Sequence, residues 1–479
     1  MTYKKENTER AYNLTLSSFI YHRCLLQDSL AIALIDSFVM ALSLILSNGI
    51  LLWINGIAFS IVNGWLLIPA WFVYSLLSKL LPGWGIGASD ELRKIQRTLF
   101  SFFASVLVVS FISGMNLASS RIVFFFTYLF AALFVPLMRH WIRNLLVEKD
   151  RWGVPVSIYG GADKIESTLG VLQSDLKLGY QPTAIYSDDL SVGSFIKGVP
   201  VLGDMQALNS TTPIGVIIQG SVDDDQFNAF IQGPAENYRR VIILPELLAA
   251  PSLWVSPIDF EGVLGLEVTK NLLNPLTRIG KMSADYAAVL LTFPIWILIV
   301  GLLYVLIWIE DRKNPLFLQK RIGKNGKSFD TIKFRTMVPN AEERLKESLQ
   351  ADPALRAEWE KHFKLKKDPR ITKIGMILRR TSLDELPQLF NVLNGSMSLV
   401  GPRPLPSYHF EDLPESVQQL RHQVKPGITG LWQVSGRSEA GTAGMEKWDP
   451  YYVRNWSIWL DIIILVRTIR TVLFARGAY

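Results

Sequence analysis

YAAVLLTFPIWILIVGLLYVLIWI, Tyr286–Ile309, holds no charge between Asp285 and Glu310. A helix needs roughly 20 apolar residues to cross a bilayer core, so the stretch is long enough to span. Its flanks argue otherwise. Lys270, Arg278 and Lys281 lie before it, and Arg312, Lys313, Lys320, Arg321 and Lys324 after it. Basic flanks favour the cytoplasmic side, so both ends read as inside. Pro294 removes a helix hydrogen bond and clashes with the preceding turn, which predicts a bend there. A re-entrant helix over 286–309, entering and leaving by one face, satisfies flanks and proline together. A plain fifth span satisfies the length alone.

Toward the N-terminus, four further apolar runs occur near 29–47, 58–78, 99–117 and 122–138. Basic residues alternate sides around them. Lys4, Lys5, Arg10 and Arg23 precede the first run, and Lys79, Arg93, Lys94 and Arg97 separate the second from the third. Arg139, Arg143, Lys149 and Arg151 follow the fourth, while the two opposite connections hold only Arg121 between them. This predicts a four-helix transmembrane bundle over 1–150 with both ends in the cytoplasm.

Composition agrees. Hydrophobic residues make up 49% of the 479 residues and charged residues 19%, against roughly 25% charged in soluble domains. Mean hydropathy is +0.24. In a membrane protein, a net charge of +7 suits anionic head groups and phosphorylated substrates better than nucleic acid. The single cysteine, Cys24, excludes a disulfide scaffold and a multi-cysteine metal site, and five histidines make a His-built site a poor expectation.

Residues 151–268 change character. The short strands VPVSIY, QPTAIY, VPVLG, IGVIIQ and RRVIILP alternate with polar, helix-like stretches, the pattern of a Rossmann-like α/β domain with a parallel sheet. The first strand runs into Gly160-Gly161-Ala162. A pyrophosphate loop, G-x-G-x-x-G, needs Gly for close backbone approach where Ala162 stands and a small residue for helix–strand packing where the bulky Ile165 stands, and Asp163 adds a carboxylate to the turn. A role in assembly or regulation fits better than dinucleotide binding. Asp188 and Asp189, after the second strand, are the right residue type for a ribose.

The region 269–479 carries the motifs. PLFLQKRIGKNGKSFDTIKFRTM reads as a hairpin, with Asn325-Gly326 as a two-residue turn. On a strand, Lys333 and Arg335 project to one face, either a solvated strand face or two cations that suit a diphosphate. In TSLDELPQL, Asp384 and Glu385 open a predicted helix over 383–394. Asp384 is a good N-cap, and the same geometry stabilises ionised carboxylates that can hold a divalent cation or act as nucleophile. GPRPLP presents Arg403 between two prolines of fixed φ, either an ordinary turn or a rigid phosphate-binding loop. PGITGLWQVSGRS is either an ordinary glycine-rich surface loop or one that offers Trp432, Gln433 and Arg437 to stack on and bond a base. The tail, NWSIWLDIIILVRTIRTVLF, reads as a helix in the membrane interface, with a soluble core helix as the bland alternative.

Taken in order, these blocks resemble the bacterial polyprenol-phosphate sugar-phosphate transferases, the monotopic phosphoglycosyl transferases, over about 200 residues. The four spans and α/β domain placed first resemble the long form that initiates O-antigen or exopolysaccharide units. The resemblance implies a C-terminal α+β monotopic catalytic domain with a re-entrant membrane helix and interfacial helices. It implies transfer of a hexose 1-phosphate, galactose being favoured, from a UDP-sugar to undecaprenyl phosphate at the cytoplasmic face of the bacterial inner membrane. Asp384 then attacks the sugar-bearing phosphorus and UMP leaves. Mg2+ is the implied cofactor, at Asp384 and Glu385. Lys333 joins them as catalytic, and Arg335, Arg403, Trp432, Gln433, Arg437 and Asp461 as substrate-binding. Membrane lipids are expected partners, nucleic acid is not, and a homodimer through 151–268 is an open expectation.

Two other classes compete. A lipid-linked sugar flippase needs polar or charged groups inside its spans; runs one to four hold one charge, Asp36, and scattered polar residues such as Asn63. A sugar-nucleotide epimerase or dehydrogenase needs an intact glycine loop and a Tyr-x-x-x-Lys base pair, and the α/β domain supplies neither.

Overall fold

The computed structural model describes residues 2–55, 64–112, 117–207, 212–245, 255–260, 263–268, 275–351, 355–356, 365, 368–435 and 441–473. The chain forms two compact units, Met1–Leu248 and Ala249–Tyr479.

The first unit begins with helices α1 (Thr2–Asn55), α2 (Leu67–Leu77), α3 (Ala88–Ile112) and α4 (Leu117–Glu148). Three of them contain segments long and apolar enough to cross a membrane: Leu16–Ile54, Ala88–Ile112 and Ile122–Glu148. Of the run expected at 58–78, the described residues hold the 11-residue α2, and 56–63 lie outside them. One face of these helices packs inward through Val39, Met40, Trp71, Leu99, Phe102 and Ala131. The other leaves Leu34, Phe111 and Leu133 exposed, a burden that acyl chains remove. Asp36, the charge inside the first run, is fully satisfied. Arg139 donates to it from Nε at 2.8 Å and from a second guanidinium nitrogen, and the Trp71 indole donates at 3.1 Å. A buried charge so paired is a structural tie, which removes the feature a transport pathway would have used.

The five expected strands all form: β1 (Val154–Tyr159), β2 (Tyr180–Tyr186), β4 (Val199–Gly203), β5 (Ile214–Ile218) and β6 (Arg240–Leu244). A two-residue strand β3 (Phe195–Ile196) adds antiparallel to the edge, giving the order β3-β4-β2-β1-β5-β6, parallel apart from β3. Their continuous apolar runs suit a sheet covered on both faces. Tyr21 and Ile32 of α1 share one core with Trp152, Val154, Val156, Ile214 and Val216. The boundary expected at 150 runs through that core.

The glycine loop is closed by the chain itself. Helix α5 (Ala162–Ser174) starts there, and its first amides meet protein groups: Gly161 N–H donates to Ser221 Oγ at 2.8 Å, and Ala162 N–H to the Asp189 carboxylate at 3.4 Å. A Cβ on Gly160 would stand 2.7 Å from Ser221 Oγ and one on Gly161 2.6 Å from the Ser221 carbonyl. These glycines admit the neighbouring chain, and Ile165 is fully buried behind them. Asp188 is also engaged, accepting from the Met205 amide at 2.9 Å and from the side-chain amide of Gln226, on α6 (Asp224–Gln232), at 2.9 Å.

The second unit contains a hairpin of β7 (Val255–Phe260) and β8 (Val263–Val268), which the sequence reading does not anticipate, and then helix α7 (Pro275–Asp311). Thr277–Asp311 is long and apolar enough to span. Pro294 lies inside α7, and the Trp296 indole donates to the Val289 carbonyl two turns back at 3.0 Å. One face of α7 packs Val289, Trp296, Val300 and Ile307 against the elements described next, while Leu291 and Leu298 are exposed.

Strands β9 (Leu316–Ile322) and β10 (Ser328–Phe334) form the expected hairpin. The turn differs from expectation. Gly323 N–H bonds the Lys327 carbonyl at 2.9 Å, so the loop is the three residues Lys324-Asn325-Gly326, with Asn325 and Gly326 both left-handed. Helix α8 (Ala341–Ala351) follows, then α9 (Lys373–Thr381), a 3-10 turn at Leu383–Gln388, and α10 (Leu389–Leu393). Strand β11 (Ser398–Val400) pairs in parallel with β12 (Gly427–Thr429), across α11 (Ser407–Glu411) and α12 (Glu415–His422). Helices α13 (Leu431–Ser435), α14 (Gly441–Asn455) and α15 (Ile458–Leu473) close the unit. Along α15, Ile458, Ile462, Val466 and Ile469 form an exposed apolar stripe at helical spacing, while Leu460 and Ile464 are buried.

Candidate active site

The Asp-Glu pair does not cap a helix. Helix α9, capped at its start by Thr372 Oγ1 on the Gly375 amide at 3.0 Å, ends at Ser382, whose φ of 57° is left-handed. The chain re-enters as the 3-10 turn, with Asp384 and Glu385 in its first turn and no side-chain cap at Ser382. The helix expected over 383–394 is therefore a 3-10 turn running into α10. Leu383, Leu386 and Leu389 pack down onto the core with Phe334 and Val392, which turns the two carboxylates outward. Close backbone packing fixes α9 beside the end of β10: a Cβ on Gly375 would stand 2.1 Å from the Thr336 carbonyl.

Glu385 is clamped. Lys333 Nζ on β10 lies 2.7 Å from Glu385 Oε1, and an Arg403 guanidinium nitrogen 2.9 Å from the same oxygen. Burial alone would raise this carboxyl. Arg403 and Lys333 outweigh it and bring it down to about 2. Asp384 has the opposite fate. It makes no hydrogen bond or ion pair among the described residues, and burial followed by the neighbouring Glu385 charge pushes its carboxyl up to about 6, against the pull of Lys333, Arg379 and Arg403. Adjacent carboxylates so held apart in proton affinity suit different tasks. Glu385 is a fixed anion that orients two cations; Asp384 is an uncommitted oxygen base within reach of their charge.

The cleft beside Glu385 is lined by Arg321, Thr331, Lys333, Glu385, Gln388, Arg403, Pro404 and Ile428; Asp384, the next residue along the chain, is not part of that lining. Arg321 is a third cation there that motif reading does not single out. Its guanidinium donates to the Pro404 carbonyl at 3.3 Å and to Gln319 Oε1 at 2.6 Å. The register explains the miss. Lys333 pairs with Phe317 and Phe329 with Arg321, so Lys333 and Arg321 share a hairpin face. A two-residue Asn-Gly turn would shift the register by one and put Lys320 there instead. Arg379, which donates to Thr336 Oγ1 at 2.9 Å, is a fourth cation close enough to Asp384 to lower it, and equally unassigned by the motifs.

Other expected site residues lie elsewhere. Strand alternation stops at Phe334, and Arg335 turns to Asp311 at the end of α7, with contacts of 2.5 and 2.6 Å. Arg335 is not among the side chains lining the cleft. Asp461 is buried in a network, accepting from Lys281 at 2.6 Å, Tyr452 at 2.8 Å and Trp456 at 3.0 Å, which ties α15 to the start of α7. Trp432 and Gln433 lie on α13, just after β12. Gln433 donates to the carbonyl of the cleft residue Ile428 at 3.3 Å, and the Trp432 indole N–H is buried without a partner among the described residues. Arg437 lies outside the described residues.

A cluster of cations around Glu385 and its neighbour Asp384, in a unit with exposed apolar helices, has the charge that suits a phosphorylated group. Comparison with known proteins agrees. Residues 276–475 match the family model described as bacterial sugar transferase. The chain is 37% identical over 398 residues to the UDP-galactose-lipid carrier transferase of Erwinia amylovora, covering 81% of this chain and 82% of that one. It is 35% identical over 400 residues to the undecaprenyl-phosphate galactose phosphotransferase of Salmonella typhimurium, covering 81% and 82%. It is 30% identical over 415 residues to the UDP-glucose:undecaprenyl-phosphate glucose-1-phosphate transferase of Klebsiella pneumoniae, covering 82% and 84%. The chain belongs to the bacterial sugar transferase family, and it is a membrane enzyme of that family.

Proposed function

We propose that this enzyme transfers a hexose 1-phosphate from a UDP-sugar to undecaprenyl phosphate through a phosphosugar ester on Asp384. The observation that carries the reading is the split pair: Glu385 held by Lys333 and Arg403, Asp384 left without a partner beside them. An Asp384 carboxylate oxygen bonds the sugar-bearing phosphorus, the bond from that phosphorus to the bridging oxygen breaks, and UMP departs with the electron pair. An oxygen of the lipid phosphate then attacks the same phosphorus and releases the Asp384 carboxylate. Both steps place anions against a diphosphate, and the cations of the cleft neutralise that charge. One substrate is aqueous and the other stays in the bilayer, so a covalent intermediate lets them use one site in turn.

Galactose is favoured as the hexose, because two relatives at 35–37% identity bear galactose names and glucose-named relatives stand at 30–31%. The donor set also fits Mg2+. Magnesium takes hard oxygen ligands, often one or two carboxylates with substrate phosphates and water. Among the described residues Asp384 has both oxygens uncommitted, and Glu385 has its second oxygen outside the ion pairs with Lys333 and Arg403. Bound there, the ion would neutralise charge on the reacting phosphates. Purified protein in undecaprenyl-phosphate vesicles should release UMP from UDP-galactose faster than from UDP-glucose. Equal rates would remove the galactose assignment, and a changed sugar without UMP would remove the transferase reading.

In this reading the cleft faces the cytoplasm at head-group depth in the inner membrane. Exposed apolar residues on α7 and α15 support an interfacial seat. The basic flanks and Pro294 of α7 support a re-entrant path for 286–309. Cysteines placed at Lys281 and Arg312, in a Cys24→Ser background, should both react from the cytoplasmic side; labelling from opposite sides would establish a span. Residues 151–268 serve assembly or regulation, with a homodimer as the form to test by crosslinking in native membranes.

A further inference from the structure

We infer that Arg421 is a positioning residue: by gripping the backbone carbonyl of Arg403 it fixes where the Arg403 guanidinium stands over Glu385 and the phosphate cleft. The inference rests on the phosphotransfer reading above and adds to it a residue that does not itself touch the cleft.

The loop that presents Arg403 is held at nearly every peptide. Tyr452 Oη donates to the Val400 carbonyl at 2.9 Å, and Gly401 N–H to the Thr429 carbonyl at 2.9 Å. Gly427 N–H bonds the Pro402 carbonyl at 2.9 Å, Arg321 the Pro404 carbonyl at 3.3 Å, and Ile322 N–H the Leu405 carbonyl at 2.9 Å. The Arg403 carbonyl, at the centre, takes its hydrogen bond from a guanidinium nitrogen of Arg421. The other terminal nitrogen of Arg421 pairs with Asp449 on α14. One planar fork thus joins α12, α14 and the loop, a task a single ammonium cannot perform.

Stability is a poor explanation for this arrangement. Arg421 is 6% exposed and Asp449 2%, so both charges are withdrawn from water. The Arg421 Nε is also buried without a partner among the described residues. Burial pushes the Asp449 carboxyl up to about 6 despite Arg421 beside it, a sign of how costly its ionised form is there. Buried pairs of this kind are often replaceable by apolar residues with no loss of stability. What an apolar pair cannot supply is the donor to the Arg403 carbonyl. The Arg403 side chain is 34% exposed and long, so its reach to Glu385 depends on where its backbone is set.

The test is a double-mutant cycle on the full-length protein in lipid nanodiscs. Arg421→Met with Asp449→Leu replaces the buried pair by apolar side chains, in wild-type and Arg403→Ala backgrounds. The readouts are the dissociation constant of inorganic diphosphate, by calorimetry, and UMP release from UDP-sugar. The replacement should weaken diphosphate binding about tenfold and slow UMP release about as much, with the thermal midpoint within a few degrees of wild type. In the Arg403→Ala background it should cost less than twofold. Equal losses in both backgrounds would overturn the inference, as would an unchanged binding constant. Arg421→Lys, which keeps the charge and the bond to Asp449, repeats the cycle should the apolar pair unfold the protein: again the loss should vanish without Arg403. A wild-type protein that binds diphosphate but releases no UMP would strike at the proposed reaction, while the binding cycle would still decide the role of Arg421.

Discussion

The glycine loop at Gly160–Gly161 and the cleft at Asp384–Glu385 are both seats for an anion, and the chain treats them oppositely. At the loop, the first amides of α5 are already taken by Ser221 and by the carboxylate of Asp189. At the cleft, Lys333, Arg403 and Arg321 stand with Glu385, and Arg379 is close enough to act on the neighbouring Asp384; among the described residues only Glu385 of the two carboxylates is in ion pairs with them. The first seat has supplied its own anion. The second keeps a surplus of positive charge for one that arrives. What distinguishes a site from its resemblance is thus how much of its charge the fold has already answered.

Asp384→Asn tests the open seat most severely. It removes the uncommitted oxygen base while keeping side-chain size, so UMP release should fall by about 10³-fold or more and no phosphosugar adduct should be trapped. Near-normal release would make Glu385 or water the nucleophile and erase the contrast drawn above. Next in size are the clamps. Arg403→Ala or Lys333→Met removes one cation from the phosphates and one partner from Glu385, which should slow transfer by about 10²-fold. Losing either partner should also raise the Glu385 carboxyl from its present low value. Arg335→Ala is the control: with its guanidinium committed to Asp311, it should slow transfer far less than Arg403→Ala. Equal losses would return Arg335 to the phosphate site.

A smaller effect lies in stability, measured without added metal. The Asp384 carboxyl is raised from its ordinary value to about 6, so the folded state holds the proton more tightly than the unfolded chain. Its stabilising contribution is present below the ordinary carboxylate range and lost as pH rises through about 6. Asn at this position carries no such loss. The thermal midpoint of Asp384→Asn should therefore exceed that of wild type by a few degrees at pH 8, and the gap should close by pH 4. Asp449 titrates in the same window but cancels in the difference. Added Mg2+ should stabilise the wild type more than the variant. A gap independent of pH would mean that Asp384 is not the group titrating near 6.

How much of this is legible in the sequence depends on whether a feature is written locally. The five parallel strands of the six-stranded sheet are, because buried parallel strands read as unbroken apolar runs between turn residues. The meeting of Lys333, Glu385 and Arg403 follows from the motif blocks and their family resemblance. The rest is set by register and partners. The left-handed Ser382 that turns α9 into the 3-10 segment carries no glycine or asparagine to announce it. One residue in a hairpin loop decides whether Arg321 or Lys320 faces the cleft. Arg335 is indistinguishable from Lys333 by alternation until the strand ends and Asp311 captures it. Asp36 and Asp461 look functional as isolated acids in apolar stretches, and their partners, Arg139 and Lys281, lie far along the chain.

The smallest expected effect concerns the closed seat. Asp189→Ala would uncover the start of α5 and remove one carboxylate from it, yet Asp163 stays in the first turn, and Ser221 still takes the Gly161 amide. Glycine backbone approach is already spent on the Ser221 peptide, since a Cβ at Gly161 would meet its carbonyl at 2.6 Å. An incoming diphosphate would therefore find neither space nor a cation in place of Asp189. Calorimetry on the full chain carrying Asp384→Asn and Arg403→Ala, which weaken the catalytic seat, should show no saturable dinucleotide binding at micromolar concentration, with or without Asp189→Ala. Asp189→Ala alone should leave UMP release within about twofold of wild type. Binding that appears only with Asp189→Ala would sharpen the comparison, making Asp189 the group that shuts a working seat. Binding in the protein that retains Asp189 would break it, because the amides of α5 would then accept an outside anion despite the one the fold provides.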